Sequence, residues 1–269
     1  MVNTHGAYDE HGRPRRAWEP TTSVGTMTPY AALTERMRKD PASPLLTYRD
    51  LATGERMELS AASLGNAIAK TAGMLRDELD AEPGASIAVH LPLHWQRVVW
   101  LGACAATSTV FAPGTDPDEC DVLVIDRARL GLVGSAREDV LVSLAPFGLP
   151  DGGEVPPGVI DAAVAMRGHP DSFVPWQPAA ESTPLLRTPE GTLSHGDLMV
   201  RAAEELSRRG VDAGARFAVT DPDPQVDLLA LAGPLGRGGS VVLIAQPGSG
   251  DLERALREEG LASDEAGRQ

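Results

Sequence analysis

Residues Ser182–Asp197 read S-T-P-L-L-R-T-P-E-G-T-L-S-H-G-D. Leu185-Leu186 and Thr192-Leu193 flank the turn residues Pro189-Glu190-Gly191. Ser194 precedes Leu198, Ala202 and Leu206 at helical spacing, and Asp197 stands three residues after it as a capping-box-like pair. The stretch therefore predicts a short hairpin feeding a capped helix. The same pattern stands earlier in the chain. Pro44-Leu45-Leu46 matches Pro184-Leu185-Leu186, and Leu59-Ser60 matches Leu193-Ser194, again directly before a helix.

Working outward, the first copy predicts a hairpin of Leu45–Asp50 and Arg56–Leu59 around Thr53-Gly54. Ser60 caps a helix carrying Leu64, Ile68, Ala72, Leu75 and Leu79. A buried strand at Ser86–Leu91, an apolar helix at Trp95–Ala106 and strands at Thr109–Ala112 and Asp121–Ile125 follow. Leu130–Gly134 reads as one more strand. After the second hairpin, Arg209-Gly210 ends the helix and Gly214-Ala215 repeats Gly84-Ala85. Arg216–Thr220 repeats the strand at Ser86, a helix spans Gln225–Leu235, Ser240–Ala245 is a buried strand and Leu252–Glu259 a last helix. Apolar strands alternating with helices mean parallel-rich sheets covered on both faces. The expected organisation is a tail at 1–28, a first α/β unit at 29–148, and a Pro/Gly-rich connection at 149–182 with a short helix at Val159–Met166. A second α/β unit at 183–260 and a tail at 261–269 complete it. After the first tail an amphipathic helix is expected at Tyr30–Lys39, and Met27 is an alternative translation start.

The chain of 269 residues is 42% hydrophobic and carries net charge -14, enough apolar content for a sizeable core. Of 24 basic residues only Lys39 and Lys70 are lysines. So acidic a chain is a poor binder of phosphate backbones or anionic membranes. Cys104 and Cys120 give no disulfide framework. A polar N-terminus without an apolar core region predicts no signal peptide, and the longest apolar run, Val98–Ala106, is about half of a membrane span, so a cytoplasmic location is expected.

In order along the chain, several segments resemble one family. Leu46-Thr47-Tyr48-Arg49-Asp50-Leu51, Glu82-Pro83-Gly84-Ala85-Ser86-Ile87-Ala88-Val89, Leu91-Pro92-Leu93-His94-Trp95, Thr109-Val110-Phe111-Ala112-Pro113, Thr192-Leu193-Ser194-His195-Gly196-Asp197-Leu198 and Leu235–Leu243 are similar to successive stretches of the adenylate-forming superfamily. That superfamily includes acyl-CoA synthetases, luciferases and peptide-synthetase adenylation domains. The resemblance covers roughly 45–244 and extends to short actinobacterial proteins that keep only this part. It implies the N-terminal α/β region of those enzymes without their C-terminal lid domain.

Where active members carry a Gly/Ser/Thr-rich loop with a lysine for the ATP phosphates, this chain has Leu186-Arg187-Thr188-Pro189-Glu190-Gly191. Departing pyrophosphate needs positioned donors and cations, and Glu190 stands where the lysine would. Arg187, Thr188 and Gly191 mark the degenerate phosphate-loop position and are the candidate ligand-binding residues. The expectation is a non-catalytic binding, regulatory or scaffold protein with no cofactor, whose partner is another protein or a small acyl or nucleotide ligand. The alternative is a half-enzyme completed by a second chain.

Five other groupings read better as structure than as chemistry. His90 and His94 are split by Pro92, which spoils a helical metal pair. Ser194, His195 and Asp197 are the residue types of a triad, but a Ser at a helix start caps it. Gly233–Gly239 follows a helix rather than a strand, and Gly248-Ser249-Gly250 is short for an anion loop and lacks lysine. The acidic run Asp116, Asp118, Glu119 and Asp121 reads as a solvated loop.

Overall fold

Hairpins, capped helices and strands recur in the order the sequence announces, and the computed structural model describes them over residues 27–245 and 249–261. Helix α1 (Pro29–Lys39) starts with proline in its first turn and Thr28 as its cap. Strands β1 (Pro44–Asp50) and β2 (Arg56–Ser60) form an antiparallel pair. The Asp50 carboxylate closes their turn by accepting the Ala52 N–H at 2.8 Å. Ser60 accepts the Ser63 N–H at 3.1 Å and opens α2 (Ala61–Asp77), which buries Leu64, Ile68, Ala72 and Leu75 on one face. Then come β3 (Ser86–His90), α3 (Trp95–Thr107), β4 (Val110–Pro113), β5 (Val122–Ile125), β6 (Glu138–Leu141), β7 (Val159–Asp161) and α4 (Ala162–Ala165). The second hairpin, β8 (Pro184–Thr188) and β9 (Gly191–Ser194), leads into α5 (His195–Arg208), β10 (Arg216–Thr220), α6 (Val226–Arg237), β11 (Ser240–Ala245) and α7 (Ser249–Glu258).

Two expectations need correction. Leu130–Gly134 is not a strand. It belongs to a 3-10 turn over Arg127–Leu132 and the loop after it, and Leu130, Leu132 and Val133 lie on the sheet face at Ala88, Leu123 and Ile125. The strand is β6, whose Glu138-Asp139 start hides it; Asp139 accepts the Gly134 N–H at 2.8 Å. Val159–Met166 is not one helix either. The β-branched start Val159-Ile160 pairs with β6 as β7, and Asp161 then caps the single turn of α4 by accepting the Ala163 N–H.

The strand order is β7-β6-β5-β3-β4-β8-β9 in one sheet and β10-β11-β1-β2 in the other. Each half of the chain thus contributes its hairpin to the other half's sheet. β1 lies parallel to β11 and β8 parallel to β4. The halves match down to register: both hairpins slip between Pro and the second Leu, at Pro44/Leu46 and Pro184/Leu186. Helices α2, α3, α5 and α6 lie between the sheets, and one continuous core joins Leu46, Ile68, Trp100, Phe111, Leu186 and Val241. The outer face of the smaller sheet is covered by α7 through Ala255 and Leu256.

Candidate functional site

Parallel strands bring their C-terminal ends to one edge. In the larger sheet that edge carries His90 of β3, Pro113 of β4, Ile125 of β5 and Thr188 of β8. The chain leaves β3 towards β4 on one side and leaves β5 towards β6 on the other. Such a reversal opens a crevice beyond the strand ends. Here an open hollow of about 300 Å³ is lined by Val89, His90, Leu91, Arg97, Gly114 and Arg129, among others. His90 Nε2 donates to the Thr115 carbonyl at 2.7 Å. Arg97, in the first turn of α3, donates to both carboxylate oxygens of Asp227 in the first turn of α6, with Nη2 at 2.6 Å, and to the Leu91 carbonyl at 2.7 Å. Arg129 pairs with Asp126 at 2.6 Å. Both guanidiniums are therefore neutralised by the fold, and the crevice holds polar groups without excess positive charge. Sequence reasoning missed Arg97, Asp227 and Arg129. The Arg97–Asp227 bridge joins residues 130 apart, and nothing local in either segment announces it.

The tip of the β8–β9 hairpin stands on the same edge. Thr188 pairs with Gly191, so the loop is the two exposed residues Pro189 and Glu190. Thr188 Oγ1 donates to the Gly191 carbonyl at 2.9 Å, and Gly191 has φ +140°, a conformation open mainly to glycine. Arg187, one step back and opposite Thr192, is half-buried and makes no ion pair among the described residues, with Glu190 or otherwise. Its charge acts on the nearby Cys120 thiol, whose pKa burial nonetheless raises. Arg187, Thr188 and Gly191 are thus adjacent on one hairpin end, with the Thr188 hydroxyl committed inside the hairpin.

The remaining groupings have structural roles. Ser194 Oγ accepts the Asp197 N–H at 3.1 Å while the Asp197 carboxylate accepts the Ser194 N–H at 3.2 Å and its hydroxyl at 2.7 Å. These bonds hold the Asp197 carboxyl below the usual range. His195 points into the core fully buried, hydrogen-bonds through neither ring nitrogen, and burial lowers its pKa to about 4. No triad forms. His94 caps α3, with Nδ1 accepting the Gln96 N–H at 3.2 Å and its ring edge-on to Tyr48 at 4.6 Å between centroids. Burial lowers its pKa to about 4, against the pull of Asp50. Among the described residues no group of three or more His, Cys, Asp or Glu side chains could hold a metal. Gly238 caps α6 at φ +79°, and a Cβ on Gly239 would stand 1.8 Å from the Ala215 carbonyl oxygen, so this glycine run makes a close helix-to-strand turn. Asp116 accepts the Asp118 N–H and Asp121 the Ser86 N–H, both within the fold. Gly248 and the tails at 1–26 and 262–269 lie outside the described residues. Among the described residues no helix is long and apolar enough to cross a membrane.

This architecture is that of the acyl-CoA synthetases' N-terminal region. The acyl-CoA synthetase of Brucella canis superposes with a TM-score of 0.72 at 16% identity, over 92% of this chain and 48% of its own. Acetoacetyl-CoA synthetase from Streptomyces lividans gives 0.67 at 20% identity, over 88% and 44%. The chain thus spans about half the length of these synthetases, and at such identities the likeness shows the fold alone. No protein-family model matches. A "TIGR03089 family protein" of Mycobacterium tuberculosis (strain ATCC 25618 / H37Rv) is 38% identical over 258 residues, covering 89% of this chain and 96% of the relative. The chain belongs to that family.

Proposed function

We propose that this protein is a non-catalytic relative of the adenylate-forming enzymes, which uses their α/β scaffold for binding, regulation or assembly. The observation that carries this reading is the two-residue loop between Thr188 and Gly191. A phosphate cradle needs several successive backbone N–H groups and a cation aimed at the departing pyrophosphate. A loop of two residues, one of them a proline without an N–H, supplies at most one such donor, and Glu190 adds negative charge at the tip. Among the described residues Arg187, half-buried at the base of the hairpin, is the one cation there that could still meet a small anionic ligand. Such a ligand would be an acyl or nucleotide group settling in the crevice beside His90 and Gly114.

Incubation with ATP, Mg²⁺ and a panel of carboxylic acids should release no pyrophosphate above a protein-free control; turnover would overturn the proposal. Thermal-shift titration with ATP, AMP, CoA and acyl chains separates the roles. Stabilisation that grows with ligand concentration supports a binding role. A flat response to every ligand supports a scaffold. The half-enzyme reading is favoured by the chain spanning about half of the synthetases it resembles in fold. Pyrophosphate release that appears only with a co-purifying second chain would establish it in place of the first.

A further inference from the structure

A strap without helix or strand, Asp171–Pro178 (D-S-F-V-P-W-Q-P), crosses the ends of α2 and α3. It is tied down at several points. Tyr30 donates to the Phe173 carbonyl at 2.8 Å, Lys70 meets Asp171 at 2.8 Å, and Arg76 donates to the Val174 carbonyl at 3.1 Å. The Arg76 guanidinium lies 4.5 Å from the Phe173 ring centre and 5.2 Å from that of Trp176. Phe173 faces inward, while Val174 is 78% and Trp176 75% exposed. Hollows of about 380 and 280 Å³ open on the two sides of the strap and share Ala106, Pro175, Pro178 and Ala179 as walls. An exposed tryptophan on a proline-lined ridge that is tethered on its N-terminal side has the character of an interface anchor.

The charge around it is unusual for its place. The last turn of α2 and the residues after it read Arg76-Asp77-Glu78-Leu79-Asp80-Ala81-Glu82. A helix C-terminus favours cations, so Asp77 and Glu78 there oppose the helix dipole, and Asp80 and Glu82 extend the negative charge beyond it. Arg76 neutralises Asp77 and His169 meets Glu78, whereas Asp80 and Glu82 are exposed and make no ion pair among the described residues. Glu82 lines the larger hollow. A charge pattern that works against its own helix is expected where another molecule supplies the counter-charge.

We propose that this surface docks an arginine-flanked, proline-rich extended segment of another protein. Aromatic ridges with intervening hollows receive the prolines of a polyproline II helix, whose low entropy suits it to a rigid site. The face of Trp176 turned away from Arg76 stacks on them, and Asp80 and Glu82 take the flanking arginines. A second copy of this chain is a poor occupant, since each copy carries net charge -14 and the same acidic rim.

The test is a titration of the full-length protein into a dye-labelled synthetic peptide of arginine, proline and leucine, read by fluorescence anisotropy. Trp176→Ala and the double change Asp80→Lys/Glu82→Lys should each weaken binding by about tenfold or more. Glu204→Lys, a reversal at an exposed position of α5, should leave it unchanged, and glutamate in place of the peptide's arginines should abolish it. All the altered side chains are exposed, and circular dichroism verifies each fold. Absence of binding, or equal weakening by Glu204→Lys, would overturn the proposal. So would an affinity that rises when residues 1–26 are removed, which would make the chain's own Arg13-Pro14-Arg15-Arg16 the occupant.

Discussion

His94 and His195 sit in the core, with Nε2 of His94 and both ring nitrogens of His195 lacking a partner among the described residues. Each is held near pKa 4 by burial, below the value of about 6.5 expected in the unfolded chain. The unfolded state therefore binds more protons between those values, so stability is full above about pH 6.5 and falls as pH drops towards 4. Each residue is expected to account for ~3 kcal/mol of that loss. Urea unfolding from pH 7.5 to 4.5 checks it: His195→Leu should flatten the slope, and an unchanged slope would show that the ring is solvated. Ser194→Ala should lower stability by about 1 kcal/mol through the lost cap, and leave ligand responses in the thermal-shift panel untouched. A change in those responses would give Ser194 a role beyond capping. Gly239→Ala, which drives a Cβ against the Ala215 backbone, should cost ~3 kcal/mol in the same unfolding assay. The capping role of Ser194 was legible because a cap is a local pattern. The burial of His195 was not, because it depends on what α5 packs against.

Helix α7 is fixed by charge as well as by the packing of Ala255 and Leu256. Glu259, the residue just after it, is buried and meets Arg56 at 2.9 Å and Arg216 at 2.6 Å, with Arg49 at 3.4 Å. These partners hold its carboxyl below the usual range against the opposing effect of burial. Glu259→Ala leaves three guanidiniums without their shared partner and should lose ~3 kcal/mol. Hydrogen exchange should then speed up across 249–261 but not in β11, whereas equal acceleration of β11 would mean that α7 and the sheet open together. The same scale shows where element reading failed. The turn at Thr53-Gly54 marked β1 and continuous apolar runs marked β3 and β11, but β6 begins Glu138-Asp139 and β7 has only three residues, so neither carries a run long enough to read.

At the scale of the molecule, the repeat was visible in Pro44-Leu45-Leu46 and Pro184-Leu185-Leu186, but the exchange of hairpins was not. Strand partnering across about 200 residues leaves no local trace, as in the pairing of Leu46 with Val241. Because each half completes the other's sheet, we expect a single cooperative unfolding transition in calorimetry; two resolved transitions would show independent halves. The crevice followed from topology once the strand order was known, while its Arg97–Asp227 bridge depends on both halves being in place. At the hairpin tip Thr188 and Gly191 enclose a loop of two residues, Pro189 and Glu190, on which the proposed non-catalytic reading rests. Exchange of radiolabelled pyrophosphate into ATP, in the presence of Mg²⁺ and a carboxylic-acid panel, tests that reading most directly. It detects the adenylation step even when no product is released. The account predicts no incorporation above the protein-free control, and acid-dependent incorporation of label into ATP would contradict it.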